Sequence, residues 1–217
     1  MTSQSAARAA FALATIVLLL LAALHVLSPE FDPSWRVVSE YANGHYGWVL
    51  SLMFACWALS TWALAYAIRV QLTTTAGKIG WWFLVVAGLG EALAAFFDIN
   101  QPMHGVAGLL GVVGLPVAAL MISMTLVRNQ WWSHARKQLL WTANLTWIVL
   151  LLMVASLPLM FITYIHAGGH VPANGQSLPL GTVLPTGVIA LVGYFDRLLI
   201  VVYCAWAMVT AWYAAKN

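Results

Sequence analysis

Six long apolar runs, separated by short polar stretches, set the pattern of this chain. A membrane-spanning α-helix needs about 20 consecutive apolar residues, and the runs place helices near 8–28, 46–69, 77–98, 103–127, 137–165 and 183–213. The pattern predicts an all-α polytopic transmembrane bundle of six helices forming one domain over 1–217. The first run, about 9–26 after Arg8, is longer than the ~7–15-residue core of a signal peptide and reads as an uncleaved first helix. The sixth is too long for one perpendicular span and carries Gly181, Pro185, Gly187 and Gly193. It is either strongly tilted, or its first part is a broken or re-entrant segment. The first polar stretch predicts structure of its own. Asp32-Pro33 reads as an N-cap followed by proline at the first helical position. Trp35, Val38 and Tyr41 then fall at helical spacing until Asn43-Gly44. This is a short interfacial helix, with Arg36 and Glu40 four residues apart and able to pair along it.

Composition agrees with a bilayer. The chain is 63% hydrophobic and 7% charged, against roughly 25% charged residues in a soluble domain. The few charges then orient it. Arg8, Arg69, Lys78, Arg128, Arg136, Lys137 and Lys216 fall on one side of the implied membrane, whereas Glu30, Asp32, Glu40, Glu91, Asp98 and Asp196 lie on the other side or within the spans. Cytoplasmic loops carry the excess of Lys and Arg, so both termini are expected inside the plasma membrane and the acids outside. Five of the six histidines join the acids. The net charge of +3 comes from short anchors and not from a clustered patch, which argues against a nucleic-acid partner. Cys56 and Cys204 lie inside apolar runs and read as buried thiols.

Ionisable residues within the spans are the first lead to chemistry, because a charge at the bilayer centre costs ~2.5–3.5 kcal/mol on insertion scales. Glu91 lies about two turns before the end of the third span, Asp98 seven residues later on the same face, and Asp196-Arg197 within the sixth run. Adjacent helical residues point ~100° apart, so Arg197 is expected to pair with Glu91 or Asp98 on another helix. That pair either fixes helix register or floors a polar cavity with a carboxylate as its working group. The histidines come second. His25, His45, His104, His166 and His170 are candidate metal ligands, and His25 with His104 is the pair that haem would need. The ordinary alternative is local hydrogen bonding at the interface. Ser39, with Glu40 and His45 near in sequence, is either a nucleophile or a backbone-capping serine. Gly105, Gly108, Gly111 and Gly114 leave a bare strip along the fourth span, suited to close helix packing or to a wall against which a flat ligand lies.

These residues also carry a resemblance. His25-Val26-Leu27-Ser28-Pro29, Phe31-Asp32-Pro33, Ser39-Glu40-Tyr41-Ala42, Gly44 and Tyr46-Gly47-Trp48 are similar to the first half of the membrane-protein family catalogued as domain of unknown function 998. Phe97-Asp98 followed by His104-Gly105 resembles its second marked segment. The resemblance covers about residues 10–127 and implies a bundle of six or so helices, with His25, Ser39, Glu40, Asp98 and His104 as its marked polar positions. It implies no reaction. A looser likeness is to ceramidase-like intramembrane zinc hydrolases, but their paired histidines sit on a helix, whereas glycines separate His166 from His170 here. The expectation is an outward-facing polar pocket built by Ser39, Glu40, Asp98 and His104, with Glu91 and Arg197 beneath. It would engage a membrane lipid or other amphipathic small molecule, with acid/base or metal-assisted chemistry on it. The alternatives are a non-catalytic accessory subunit with membrane-protein partners or self-association, a small proton-coupled transporter, and a haem-binding membrane protein.

Overall fold

Threonines start two of the helices. Thr2 and Thr74 each turn their side-chain oxygen onto a backbone N–H three residues on, Ser5 at 3.1 Å and Gly77 at 3.0 Å, satisfying donors that the first turn leaves without partners. The computed structural model describes residues 2–169 and 178–216. Six α-helices follow one another: α1 (Ser3–Leu27), α2 (Gly47–Ile68), α3 (Thr75–Phe96), α4 (Pro102–Leu126), α5 (Arg136–His166) and α6 (Val192–Ala214). All six are long and apolar enough to cross a membrane. Consecutive helices pack on one another and run up and down, so the seven cations Arg8, Arg69, Lys78, Arg128, Arg136, Lys137 and Lys216 gather at one end of the bundle, here the basic end. Two side-chain ties hold this end: Trp132 donates to Gln71 Oε1 at 2.6 Å, and the Thr74 and Thr125 hydroxyls meet at 3.3 Å.

Each helix packs on the next, and α6 returns between α1 and α5 while touching α2. Between apolar helices in lipid, packing and interhelical hydrogen bonds replace the hydrophobic drive. Ser60 donates to Ala10 O at 2.8 Å, Trp81 to Ala65 O at 2.9 Å and Trp206 to Ser123 Oγ at 2.9 Å. The tightest approach is α3 on α4. A β-carbon on Gly90 would stand 2.6 Å from both Ala107 O and Gly111 N, so the two backbones touch there.

The structure decides between the two alternatives for the sixth run: its first part is broken, and there is no long helix from 183. Residues 178–191 make turns and extended chain, with Gly181 and Gly187 at φ +78° and +94°, and α6 begins only at Val192. Positive φ takes those residues out of any right-handed helix. The short helix expected after Asp32 is present, but it starts later and packs into the bundle end instead of lying on the surface. Asp32 closes a turn by accepting from Ser34 N and Oγ at 2.9 and 2.7 Å, and a 3₁₀ segment follows at Val38–Asn43. This segment folds into the end of the bundle, burying Arg36, Val38 and Tyr41. Gly193 permits it: a β-carbon there would lie 2.5 Å from Pro33 O and 2.7 Å from Arg36 O.

Candidate functional site

Below the 3₁₀ segment, α2, α3, α4 and α6 leave a cavity of about 80 Å³. At ~10–15 Å³ per water, it holds several. Ser39, Glu91, His104 and Asp196 all border it. The sequence set these residues among its candidates, and the fold brings them to one chamber from four different elements.

Ser39 and His104 form a hydrogen-bonded pair. Asp98 accepts from Asn100 N at 2.9 Å through Oδ1 and from Gln101 N at 3.0 Å through its carbonyl, and Pro102 then opens α4. This turn sets Phe97 O 2.8 Å from His104 Nδ1. A carbonyl only accepts, so Nδ1 carries the proton and Nε2 is the acceptor. Nε2 lies 3.0 Å from Ser39 Oγ, whose hydroxyl therefore donates to it. The imidazole is thus aligned to take the Ser39 proton. Asp98 shapes the turn and stands outside the cavity wall.

The carboxylates divide. Glu91 is 4% exposed; Oε2 accepts from the Thr61 hydroxyl at 2.7 Å, and Oε1 is buried with no partner among the described residues. Asp196 Oδ2 accepts from Val38 N at 2.7 Å and pins the roof of the chamber to α6. Glu40 turns to the opposite side of the 3₁₀ segment, where Arg36 Nη1 meets it at 2.6 Å. Arg36 also donates to Leu178 O at 2.7 Å and to Pro179 O. Glu40 borders a second, mostly apolar groove of about 530 Å³ between this segment and α5, lined by Trp35, Pro158 and Phe161 among others. The Arg36–Glu40 pairing is therefore as the spacing predicted, but Ser39 and Glu40 face different spaces.

Arg197 corrects the expected ion pair, since it meets neither Glu91 nor Asp98. It is 7% exposed and donates to His25 Nε2 at 2.7 Å, Arg36 O at 2.5 Å, Gly193 O at 2.9 Å and Tyr41 Oη at 3.1 Å. The loop folded into the bundle brings carbonyls that have lost water, and the five donors of a guanidinium can serve them. His25 is fixed as a neutral tautomer, with Nδ1 donating to Leu21 O at 2.7 Å and Nε2 accepting from Arg197. His25 and His104 thus each spend both ring nitrogens on protein partners. His45 and His166 are exposed, and His170 lies outside the described residues. Among the described residues no three His, Cys, Asp or Glu side chains come together as a metal site. Cys56 and Cys204 are free thiols, the latter buried.

The glycine strip divides between a helix contact and the chamber wall. Gly114 packs 3.4 Å from Phe83 O as a β-carbon would measure it, whereas Gly108 and Gly111 border the chamber. Sequence reasoning did not single out Thr61, Tyr41 or the Phe97 carbonyl. A lone threonine opposite Glu91 in an apolar span was the available signal for the first, and the other two needed the fold. No curated protein and no solved structure matches this chain. The model of the family described as protein of unknown function DUF998 matches residues 9–213, so the chain, with its bundle of six apolar helices, belongs to the DUF998 family.

Proposed function

We propose that this protein sits in the plasma membrane with its basic end at the cytoplasm, and that its outward-facing chamber engages the polar end of a membrane lipid or another amphipathic molecule. The clustering of cations at one end supports the orientation. The Ser39–His104 hydrogen bond at the chamber wall carries the functional reading. With Nδ1 held by the Phe97 carbonyl, Nε2 acts as a general base toward Ser39 Oγ. The apolar groove across the same segment suits a hydrocarbon chain. A fluorophosphonate probe on the protein in membranes tests this. Ser39 Oγ attacks phosphorus, fluoride leaves and His104 takes the proton. Labelling at Ser39 that disappears in His104→Gln supports the reading. If Ser39 is not labelled, and Ser39→Ala and His104→Gln retain the same co-purifying lipids as the native chain, the reading fails.

A second reading is a non-catalytic subunit of a membrane assembly. The observation favouring it is α5, the least buried of the six spans, with Leu151, Val154, Phe161 and Ile162 turned outward. Stable protein companions in mild detergent, with no ligand in the chamber, would select it.

A further inference from the structure

The chamber wall carries two carboxyl groups and, among the described residues, no cationic side chain. Glu91 and Asp196 both border it, and neither arginine near this end donates a hydrogen bond to them. Arg36 is spent on Glu40 and the carbonyls of Leu178 and Pro179, and Arg197 on His25, Tyr41 and two carbonyls. Glu91 is the decisive residue. It is 4% exposed, borders the space, and keeps Oε1 without a donor. Buried polar atoms are nearly always paired, so a bare one marks the place where a donor arrives. Asp196 uses Oδ2 for Val38 N, and its other oxygen has no protein donor among the described residues. The remaining wall suits a cation with carbon attached. Trp57 and Tyr203 stand 6.1 Å apart at its side, and aromatic faces attract ammonium groups most strongly where water is excluded. Gly108 and Gly111 keep the α4 side flat.

We propose that the chamber binds an alkylammonium group, with Glu91 and Asp196 as its counter-ions, so that the molecule engaged is an amine-bearing amphiphile. The assignment rests on the reading above for where the ligand sits, and not on any chemistry at Ser39. A carboxylate or phosphate group would meet two carboxyl groups and no cationic side chain on the wall, and like charges brought together across an interface are strongly disfavoured.

The test is thermal unfolding of the full chain in detergent with decylamine, decyltrimethylammonium, decanoate or ethylamine, because a ligand of the native state raises Tm. Decylamine is expected to raise Tm and decanoate to leave it unchanged. Glu91→Gln keeps an acceptor for Thr61 and removes the charge; it is expected to weaken decylamine binding about tenfold or more, read as a 1:1 adduct by native mass spectrometry. Gly108→Leu fills open space at the chamber and should abolish the shift, while Gly105→Leu, which also meets open space but does not border the chamber, should retain it. Stabilisation by decylamine alone identifies a bilayer-borne amine; stabilisation by ethylamine as well identifies a free amine. Both uphold the assignment. Equal shifts from decanoate and decylamine, or native affinity in Glu91→Gln, would overturn it. Loss of fluorophosphonate labelling with ammonium binding intact would instead remove only the Ser39 chemistry.

Discussion

Replacing Arg197 by methionine distinguishes the observed network from the ion pair that the charges alone suggest. Methionine keeps the apolar length of the side chain and removes the guanidinium with its four hydrogen bonds of 2.5–3.1 Å. Hydrogen bonds to a charged group contribute ~1.5–3 kcal/mol each. They share one geometry, so the sum overstates the loss, and breaking a buried network by removing one member costs about 3–5 kcal/mol. Arg197→Met should therefore lose about 3–5 kcal/mol in reversible unfolding by SDS in mixed micelles, followed by circular dichroism. The decisive readout is a pair of double-mutant cycles. His25→Ala combined with Arg197→Met should show a coupling of about 1–3 kcal/mol, because the two side chains bond directly. Glu91→Gln combined with Arg197→Met should be additive within about 0.5 kcal/mol, since they share no partner. Where Arg197→Met is too unstable to measure, Arg197→Lys serves, because one ammonium cannot reach all four acceptors. Coupling to Glu91 above about 1 kcal/mol, with none to His25, would refute the described network.

Gly90→Ala should lose at least about 1–3 kcal/mol in the same assay, since its new carbon meets two backbone atoms at 2.6 Å and overpacking costs this much; Gly105→Ala, with nothing within 4 Å, should be neutral or gain up to about 1 kcal/mol from helix propensity. Asp196→Ala removes the acceptor for Val38 N, so amide exchange at Val38 should quicken by roughly 10- to 100-fold, the loss of one charge-assisted hydrogen bond, while the α2 core stays protected; unchanged exchange would separate Asp196 from the roof. An impermeant thiol reagent applied to intact cells should label Asn100→Cys and not Lys78→Cys, both exposed positions at opposite ends of the bundle; the reverse pattern would invert the proposed orientation.

The helices were legible because length and apolarity alone decide a span. The starts at Gly47, Thr75, Pro102 and Arg136 fall within two residues of those read from the pattern. The sixth was legible only as two alternatives, because 183–191 is apolar enough to pass for helix while Gly181, Pro185 and Gly187 allow a break. Only the backbone turns at Gly181 and Gly187 and the contact of Gly193 with Ser34 O at 3.0 Å show that the chain is laid across the bundle first. The chamber was half legible. Ser39 and His104 were each nominated by their type and by a resemblance, but 65 positions separate them and no spacing rule joins them. Arg197 was misassigned because opposite charge is the obvious partner on paper. Carbonyls become competitors only when a loop carries them out of water, and that loop read as a surface helix.

This competition explains how the charges sort themselves. Folding the connections before α2 and before α6 against the bundle end buries backbone acceptors as well as side chains, and buried acceptors need donors. Arginine supplies several at once, and both arginines of this end are spent on backbone: Arg36 on the carbonyls of Leu178 and Pro179 in the stretch before α6, Arg197 on those of Arg36 and, within α6, Gly193. Glu40, four residues on from Arg36, is kept as its counter-ion at 2.6 Å. Glu91 and Asp196 are then left on the far side of α6 and the loop, held by a threonine hydroxyl and a backbone N–H. Neither donor brings a positive charge. The chamber carboxyl groups thus receive no guanidinium hydrogen bond because backbone carbonyls, His25, Tyr41 and Glu40 take those of both arginines.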